Sequence, residues 1–175
     1  LTQGFDTILK TAQRLAHIPD LLFLIVGDGA RRRWLEEQLV RERLLNVTLL
    51  PYQPRSIVPQ IYGSSDLCLV PLKGGTAQET FPSKIYTIMA AARPVITSAD
   101  FDSELVWLVK QADCGWGVPP DDAEALAKSI EQAYYFRGTL QQKGLNGRDY
   151  VVSHHSRQAV VLQYHELIEH VVNNK

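Results

Sequence analysis

The stretch "GGTAQETFPSKIYTIMAAARPVIT", residues 74–97, places a glycine-rich loop, a helix and a strand in immediate succession. Apolar residues recur in it with a helical period and predict a helix over residues 83–91. The predicted buried stripe consists of Ile85, Ile88, Met89 and Ala92. The opposite side carries only the short side chains of Ser83, Thr87 and Ala90. Because that side has so little bulk, another molecule could approach the helix backbone closely.

The rest of the chain repeats this alternation of strand and helix. Apolar runs that end at turn residues predict strands in "DLLFLIVG", "NVTLLPY", "DLCLVPL", "RPVITS" and "CGWGVPP". Between and after them, helices are predicted over residues 5–16, through Leu35, Leu39 and Val40, over 56–65, over 103–112, within 121–135 and over 156–172. Such alternation predicts an α/β fold with a doubly wound, Rossmann-like parallel sheet, formed by residues 1–175 as one domain.

Composition excludes several classes of protein. Apolar residues make up 45% and charged residues 21% of the chain, which is typical of a globular domain. With 18 basic and 19 acidic residues the net charge is −1, so no overall field favours nucleic acid. Apolar runs stay below the roughly 18 residues that a membrane span needs. The isolated Cys68 and Cys114 read as buried thiols in a reducing compartment, which predicts a cytoplasmic location.

The beginning of the chain predicts a fragment. A helix starts within a few residues of Leu1, with no strand before it and no signal-peptide pattern. We therefore expect a piece of a longer protein, without its first strand.

The opening stretch also predicts an anion site. The first turn of its helix has unsatisfied N–H groups and the positive end of the helix dipole, and Pro82 suits that turn. Gly74 and Gly75 allow the preceding loop to bring further amides close, and Lys84 adds a positive charge. Glu79 would repel a phosphate but suits sugar hydroxyls, so the pattern favours a nucleotide sugar. The alternative is a common glycine-rich loop in which Glu79 only favours the helix dipole.

These motifs resemble the donor-binding domain of the retaining glycosyltransferases with the GT-B architecture, family 4 or group 1. The resemblance is carried by "ETFPSKIYTIMAAARPVI", "LIVGDGARRRWLEEQL", "SSDLCLVPL" and "CGWGVPPDDAEALAKSI", in the family's order. It covers essentially the whole chain, and only as the C-terminal domain. The Pro-Ser-Lys variant is similar to a subgroup that acts in polysaccharide and lipopolysaccharide assembly, often on amino-sugar donors.

The resemblance implies roles for individual residues. Glu79 would bind the donor sugar hydroxyls and, with Lys84, would act in catalysis. The expected nucleotide-sugar site consists of Gly27, Tyr52, Gly74, Gly75, Thr76, Glu79, Phe81, Pro82, Ser83, Lys84 and Thr87. Tyr52 would either stack on the base or pack against its own loop.

Two positions depart from the family. Thr87 stands where most members have a second glutamate for the ribose, and Gln3 lies near where members have a lysine for the diphosphate. Lys84 could take over the role of that lysine.

The resemblance further implies transfer of a sugar from a nucleotide-sugar donor with retained anomeric configuration. We expect a UDP-linked donor, although the sequence of this half does not identify the base. Fixed dipoles and lysine would stabilise the leaving diphosphate in place of a metal ion, so no metal or cofactor is expected. The implied partners are the N-terminal domain of the same protein, reached by the final helix, and a glycan or lipid-linked acceptor. The residues Arg31, Arg32 and Arg33 could contact anionic head groups at the inner face of the cytoplasmic membrane.

Two other interpretations stay open at this level. The chain could belong to a UDP-amino-sugar epimerase of related architecture, or it could be a binding-only module. As half of a two-domain glycosyltransferase, the isolated chain is expected to be inactive.

Overall fold

The computed structural model describes residues 3–76 and 80–173. Its described strands are β1 (Phe23–Val26), β2 (Val47–Leu50), β3 (Cys68–Pro71), β4 (Val95–Ser98) and β5 (Gly115–Val118). The helices between them are α1 (Phe5–Arg14), α2 (Arg32–Arg41), α3 (Val58–Ser64), α4 (Lys84–Ala90), α5 (Glu104–Gln111) and α6 (Ala123–Tyr135). The chain continues with α7 (Leu140–His155) and α8 (Arg157–Asn173). The predicted α/β alternation is confirmed.

All pairs of the described strands are parallel. They form two separate sheets, each of which we call a ladder. β1 pairs with β2, and β4 lies between β3 and β5, with Val95 opposite Cys68 and Gly115. The prediction of one continuous sheet is thus modified. β1 and β3 each have one ladder partner among the described strands. The two ladders still share a core, because one cluster of buried side chains contains Phe23 and Val47 as well as Ile96 and Val118.

The burial of the strands and of α4 follows the sequence pattern. All four residues of β4 are buried, as expected of a strand covered on both faces. Ile85, Ile88 and Met89 of α4 are buried as predicted. Ala92 lies beyond the helix, which ends at Ala90, and has a φ of 53°.

Helix α7 packs closely on α4 because two glycines of α7 face it. A Cβ atom on Gly144 would overlap the backbone carbonyl of Ala92. A Cβ atom on Gly147 would lie 2.9 Å from Cβ of Cys114 and 3.5 Å from Cγ of Met89. Helix α4, which follows the glycine-rich loop, therefore has α7 closely packed against its buried side.

Several apolar residues are exposed. Ala16 and Val40 are exposed, although both lie within predicted helices. Trp107 is 55% exposed, whereas Trp34 and Trp116 pack against the core. The N-cap of α6 is Asp122, which accepts hydrogen bonds from the amides of Glu124 and Ala125 at 3.0 and 2.8 Å, so Asp121 is left for another role.

The last helix has an unpartnered apolar face. None of the described residues of α8 is buried, and Val161, Tyr164, Leu167, Ile168 and Val171 are more than half exposed. No described helix is long and apolar enough to cross a bilayer.

Candidate functional site at the carboxyl ends of the strands

The predicted site residues follow the carboxyl ends of parallel strands, where ligands bind in folds of this class. The loop of residues 73–76 follows β3, Asp100 follows β4, and the turn containing Asp121 follows β5. Gly27 and Tyr52 follow β1 and β2 at the same edge of the other ladder. The fold therefore collects residues that are far apart in sequence. Glu79, which the sequence assigns to the sugar, lies outside the described residues.

The amides of Gly74 and Gly75 both donate to carboxylates. The Gly74 amide donates to Oδ2 of Asp121 at 2.9 Å, and the Gly75 amide donates to Oδ2 of Asp100 at 3.1 Å. Gly75 has a φ of 73°, in the left-handed region that glycine adopts without strain. Thr76 closes the loop by donating its hydroxyl to the carbonyl of Lys73 at 2.6 Å. The sequence analysis expected these amides to face a ligand. In this structure they donate hydrogen bonds to carboxylates of the same chain.

The outer face of α4 has the predicted character. Ser83, Thr87 and Ala90 are exposed, and Pro82 is partly buried just before the helix. Ser83 is the N-cap, and its side chain makes no capping hydrogen bond in the described part of the chain. The exposed side of this helix therefore offers a flat surface with access to its backbone.

Lys84 is the first residue of α4, and its ammonium group is substantially desolvated. Burial lowers the pKa of Lys84, and the neighbouring Cys68 opposes this effect weakly. The side chain of Lys84 makes no hydrogen bond or salt bridge with the described residues, unlike those of Arg31, Arg32 and Arg33. A desolvated cation is stabilised by an anion that approaches it.

Phe81 is half-buried and contacts an aromatic cluster behind α4. Its ring centroid lies 5.5 Å from that of Tyr86, which lies 4.7 Å from the ring of His155 in α7. Burial is the main cause of the lowered pKa of His155, with His154 adding to it. Phe81 therefore has a packing role that ties the loop before α4 to α7.

The ends of β1 and β2 are joined by an arginine that the sequence reasoning did not assign to the site. Nη1 of Arg32 donates to the carbonyls of Gly27 and Leu50 at 3.0 and 3.1 Å. The Gly27 amide also donates to the Leu50 carbonyl at 3.1 Å. The side chain of Tyr52, which follows β2, is 75% exposed and so is not buried against its own loop. The "RRR" run is the signal that could have pointed to Arg32.

The three arginines do not form a common cationic patch. Arg31 pairs with Asp6 at 3.0 Å and lies 3.7 Å over the ring of Trp34. Arg32 and Arg33 pair with Glu36 and Glu37 at 2.9 and 3.0 Å. These pairs also relieve the unfavourable position of cations at the start of α2.

The described residues form no cluster of metal ligands at the carboxyl ends of these strands. Within residues 3–76 and 80–173, no group of three or more His, Cys, Asp or Glu side chains could hold a metal ion.

The fold and the position of the candidate site define a class of protein. The class is the Rossmann-like α/β domains, which receive a ligand at the carboxyl ends of parallel strands. The chain belongs to the group 1 glycosyltransferases, because the family described as "Glycosyl transferases group 1" matches residues 2–135.

Relatives support this membership. The chain is 33% identical over 135 residues to a protein of Escherichia coli (strain K12) that is named as a colanic acid biosynthesis glycosyl transferase, WcaI, covering 75% of this chain and 32% of that protein. It is 30% identical over 135 residues to the glycosyltransferase WbjE of Pseudomonas aeruginosa, covering 74% of this chain and 32% of that protein. The chain thus spans about a third of the length of these relatives.

Solved structures confirm the fold. Sucrose-phosphate synthase from Thermosynechococcus elongatus matches with a TM-score of 0.79 and 28% identity, over 99% of this chain and 43% of that one. Anabaena HepE with UDP-glucose matches with a TM-score of 0.79 and 20% identity, over 95% and 45%. The C-terminal domain of a group 1 glycosyltransferase, LpcC, from Francisella tularensis matches with a TM-score of 0.75 and 17% identity, over 89% and 81%. The chain therefore has the fold of the C-terminal domain of a GT-B glycosyltransferase.

Proposed function

We propose that this chain is the donor-binding half of a retaining glycosyltransferase that transfers a sugar from a UDP-linked donor. The acceptor is a glycan or a lipid-linked glycan of a cell-surface polysaccharide. The observation that carries the proposal is Lys84, a desolvated cation without a described partner, at the head of a helix whose exposed face has short side chains.

Family membership and relatives support the choice of substrate. HepE, which has the same fold, was solved with UDP and with UDP-glucose. WcaI is named for the synthesis of colanic acid. A donor of the same class would place its diphosphate toward Lys84 and the amides at the head of α4, and its base toward the exposed ring of Tyr52.

The chemistry follows from charge. Departure of the sugar leaves negative charge on the diphosphate, which Lys84 stabilises as a fixed cation in a partly desolvated place. Glu79 would hold the sugar through its hydroxyls, and Thr87 would contribute at most one hydrogen bond to the ribose. No metal is part of this mechanism.

The proposed protein has a second domain, which supplies the acceptor site. The strands β1 and β3 support a further strand before α1, and the exposed apolar face of α8 supports the second domain. β1 and β3 are apolar strands with one described ladder partner each, and Leu24 in β1 is 38% exposed. The Gly4 amide donates to the carbonyl of Pro71, so the residues that lead into α1 lie at the carboxyl end of β3. A parallel strand that precedes α1 would fit between β1 and β3.

The exposed apolar face of α8 would pack on that second domain. Since the active site of such an enzyme lies between two domains, we expect the isolated chain to bind donor and to transfer no sugar. We place the enzyme in the cytoplasm, with peripheral contact to the inner face of the cytoplasmic membrane as a further prediction.

The test is a calorimetric titration of the chain and of Lys84→Met with UDP and with uridine. We expect Lys84→Met to weaken UDP binding by about tenfold to a hundredfold, the range of a lost charge-assisted hydrogen bond. Uridine binding should stay the same. Lys110→Met is the matched control, because Lys110 is exposed near the far end of α5. Equal losses for UDP and uridine would contradict the role of Lys84.

A further inference from the structure

Two backbone amides of the glycine loop after β3 already bind anionic groups of the same chain. Gly74 and Gly75 present consecutive N–H groups, and Gly75 is in the left-handed conformation with a φ of 73°. Successive backbone amides in a turn can bind anions. The acceptors are two carboxylates of the same chain, at 2.9 and 3.1 Å.

The two carboxylates come from separate loops. Asp100 follows β4 and Asp121 follows β5. Each side chain therefore reaches from its own loop, at the carboxyl end of the sheet, to the loop that follows β3. Their acceptor oxygens bind consecutive amides of the glycine loop, so an anion that approaches these amides meets both negative charges. Asp121 also has a φ of 56°, a conformation that is uncommon for a residue other than glycine.

The contact is built into the packing of this turn. A Cβ atom on Gly74 would lie 3.4 Å from Oδ2 of Asp121 and 3.6 Å from Cγ of Pro120. The neighbouring Asp122 caps α6 instead, so Asp121 does not serve the helix.

We propose that Asp100 and Asp121 act as internal substitutes for the donor diphosphate and thereby set the affinity of the site. This inference rests on the proposed function. With donor absent, the carboxylates satisfy the amides of Gly74 and Gly75. A diphosphate binds by displacing them and must also overcome their charge. The two residues therefore weaken the binding of diphosphates and leave the binding of an uncharged nucleoside unchanged.

The experiment is a calorimetric titration of the wild type, Asp100→Asn and Asp121→Asn with UDP and with uridine. Asparagine keeps an oxygen that accepts the amide hydrogen bond, so the loop keeps its geometry while one charge is lost. We expect each variant to bind UDP about threefold to tenfold more tightly, with uridine unchanged. Asp121→Gly is a second variant, since glycine accepts the local φ without strain.

Asp102→Asn is the matched control. Asp102 is exposed and lies two residues from Asp100. The Asp102→Asn substitution removes the same charge, but the carboxylate that binds the described glycine loop is that of Asp100. Its effect on UDP binding should be smaller than that of Asp100→Asn. Wild-type binding of UDP with no gain in either asparagine variant, or equal changes for UDP and uridine, would overturn the inference and leave the proposed function standing. Absence of UDP binding in every protein would overturn both.

Discussion

At the scale of single residues, Lys84 combines a positive charge with a desolvated position. An ammonium group in such a place costs free energy unless an anion compensates it, and burial accordingly lowers its pKa. A bound diphosphate would stabilise the charged form and raise that pKa. Donor binding and proton binding at Lys84 are therefore coupled.

This coupling predicts the pH dependence of binding. Below its lowered pKa, Lys84 is charged and UDP binds fully. Between that pKa and the ordinary value of 10.5, free Lys84 is largely neutral, so binding of UDP takes up a proton. The affinity for UDP should fall as the pH rises through this window, and calorimetry in buffers of different ionisation enthalpy should detect the proton uptake.

Lys84→Met provides the control for this measurement. The variant should lose the slope that Lys84 causes and retain any slope that comes from the ionisation of uracil. Identical slopes in the wild type and in Lys84→Met would show that Lys84 does not sense the diphosphate.

At the scale of elements, the position of α4 depends on its contact with α7. Alanine normally favours a helix over glycine by about 0.5–1 kcal/mol. At Gly144 this gain is outweighed, because the added Cβ would overlap the carbonyl of Ala92, which is backbone and cannot rotate away. The contact therefore requires glycine.

Gly144→Ala should lower the free energy of unfolding by about 1–3 kcal/mol, the range of overpacked sites, as measured by denaturant unfolding. Gly63→Ala is the matched control, since Gly63 is also helical and a Cβ atom there meets nothing within 4 Å in the described chain. That variant should be neutral or slightly stabilising. A stable Gly144→Ala would mean that α7 does not hold α4 in the way described.

At the scale of the whole molecule, the two ladders share one core, and β1 and β3 each have one described ladder partner. The proposed strand before α1 would lie between β1 and β3. In a longer natural protein that contains the preceding strand, the amides of β1 and β3 should exchange with solvent more slowly. The outer strand β5 provides the internal control, because its neighbours would not change. Hydrogen exchange measured by mass spectrometry tests this, and equal protection of β1 and β3 in both lengths would contradict the inserted strand.

The sequence predicts the elements well because their signals are local. Continuous apolar runs identify β1 to β4, and the helical period identifies the buried stripe of α4. The split of the sheet has no local signal, because strand pairing depends on which strands are adjacent in space. The exposure of Ala16 and Val40 has none either, because a helical period defines a face of a helix and not what covers that face.

The candidate site was predictable in part for the same reason. Gly74, Gly75 and Lys84 stand in one stretch with a recognisable composition. Asp100, Asp121 and Arg32 reach the edge from other loops, and no local pattern links them to the glycine loop or to the ends of β1 and β2. Acidic residues directly after β4 and β5 were the available signal.

The measurement that tests the central claim most directly is calorimetric titration of this chain with UDP, GDP and ADP in the presence of EDTA. The account predicts saturable binding of UDP, more tightly than GDP or ADP, without a metal ion. Failure of all three nucleotides to bind, or binding that requires a divalent metal, would contradict a metal-independent donor site at the carboxyl ends of these strands.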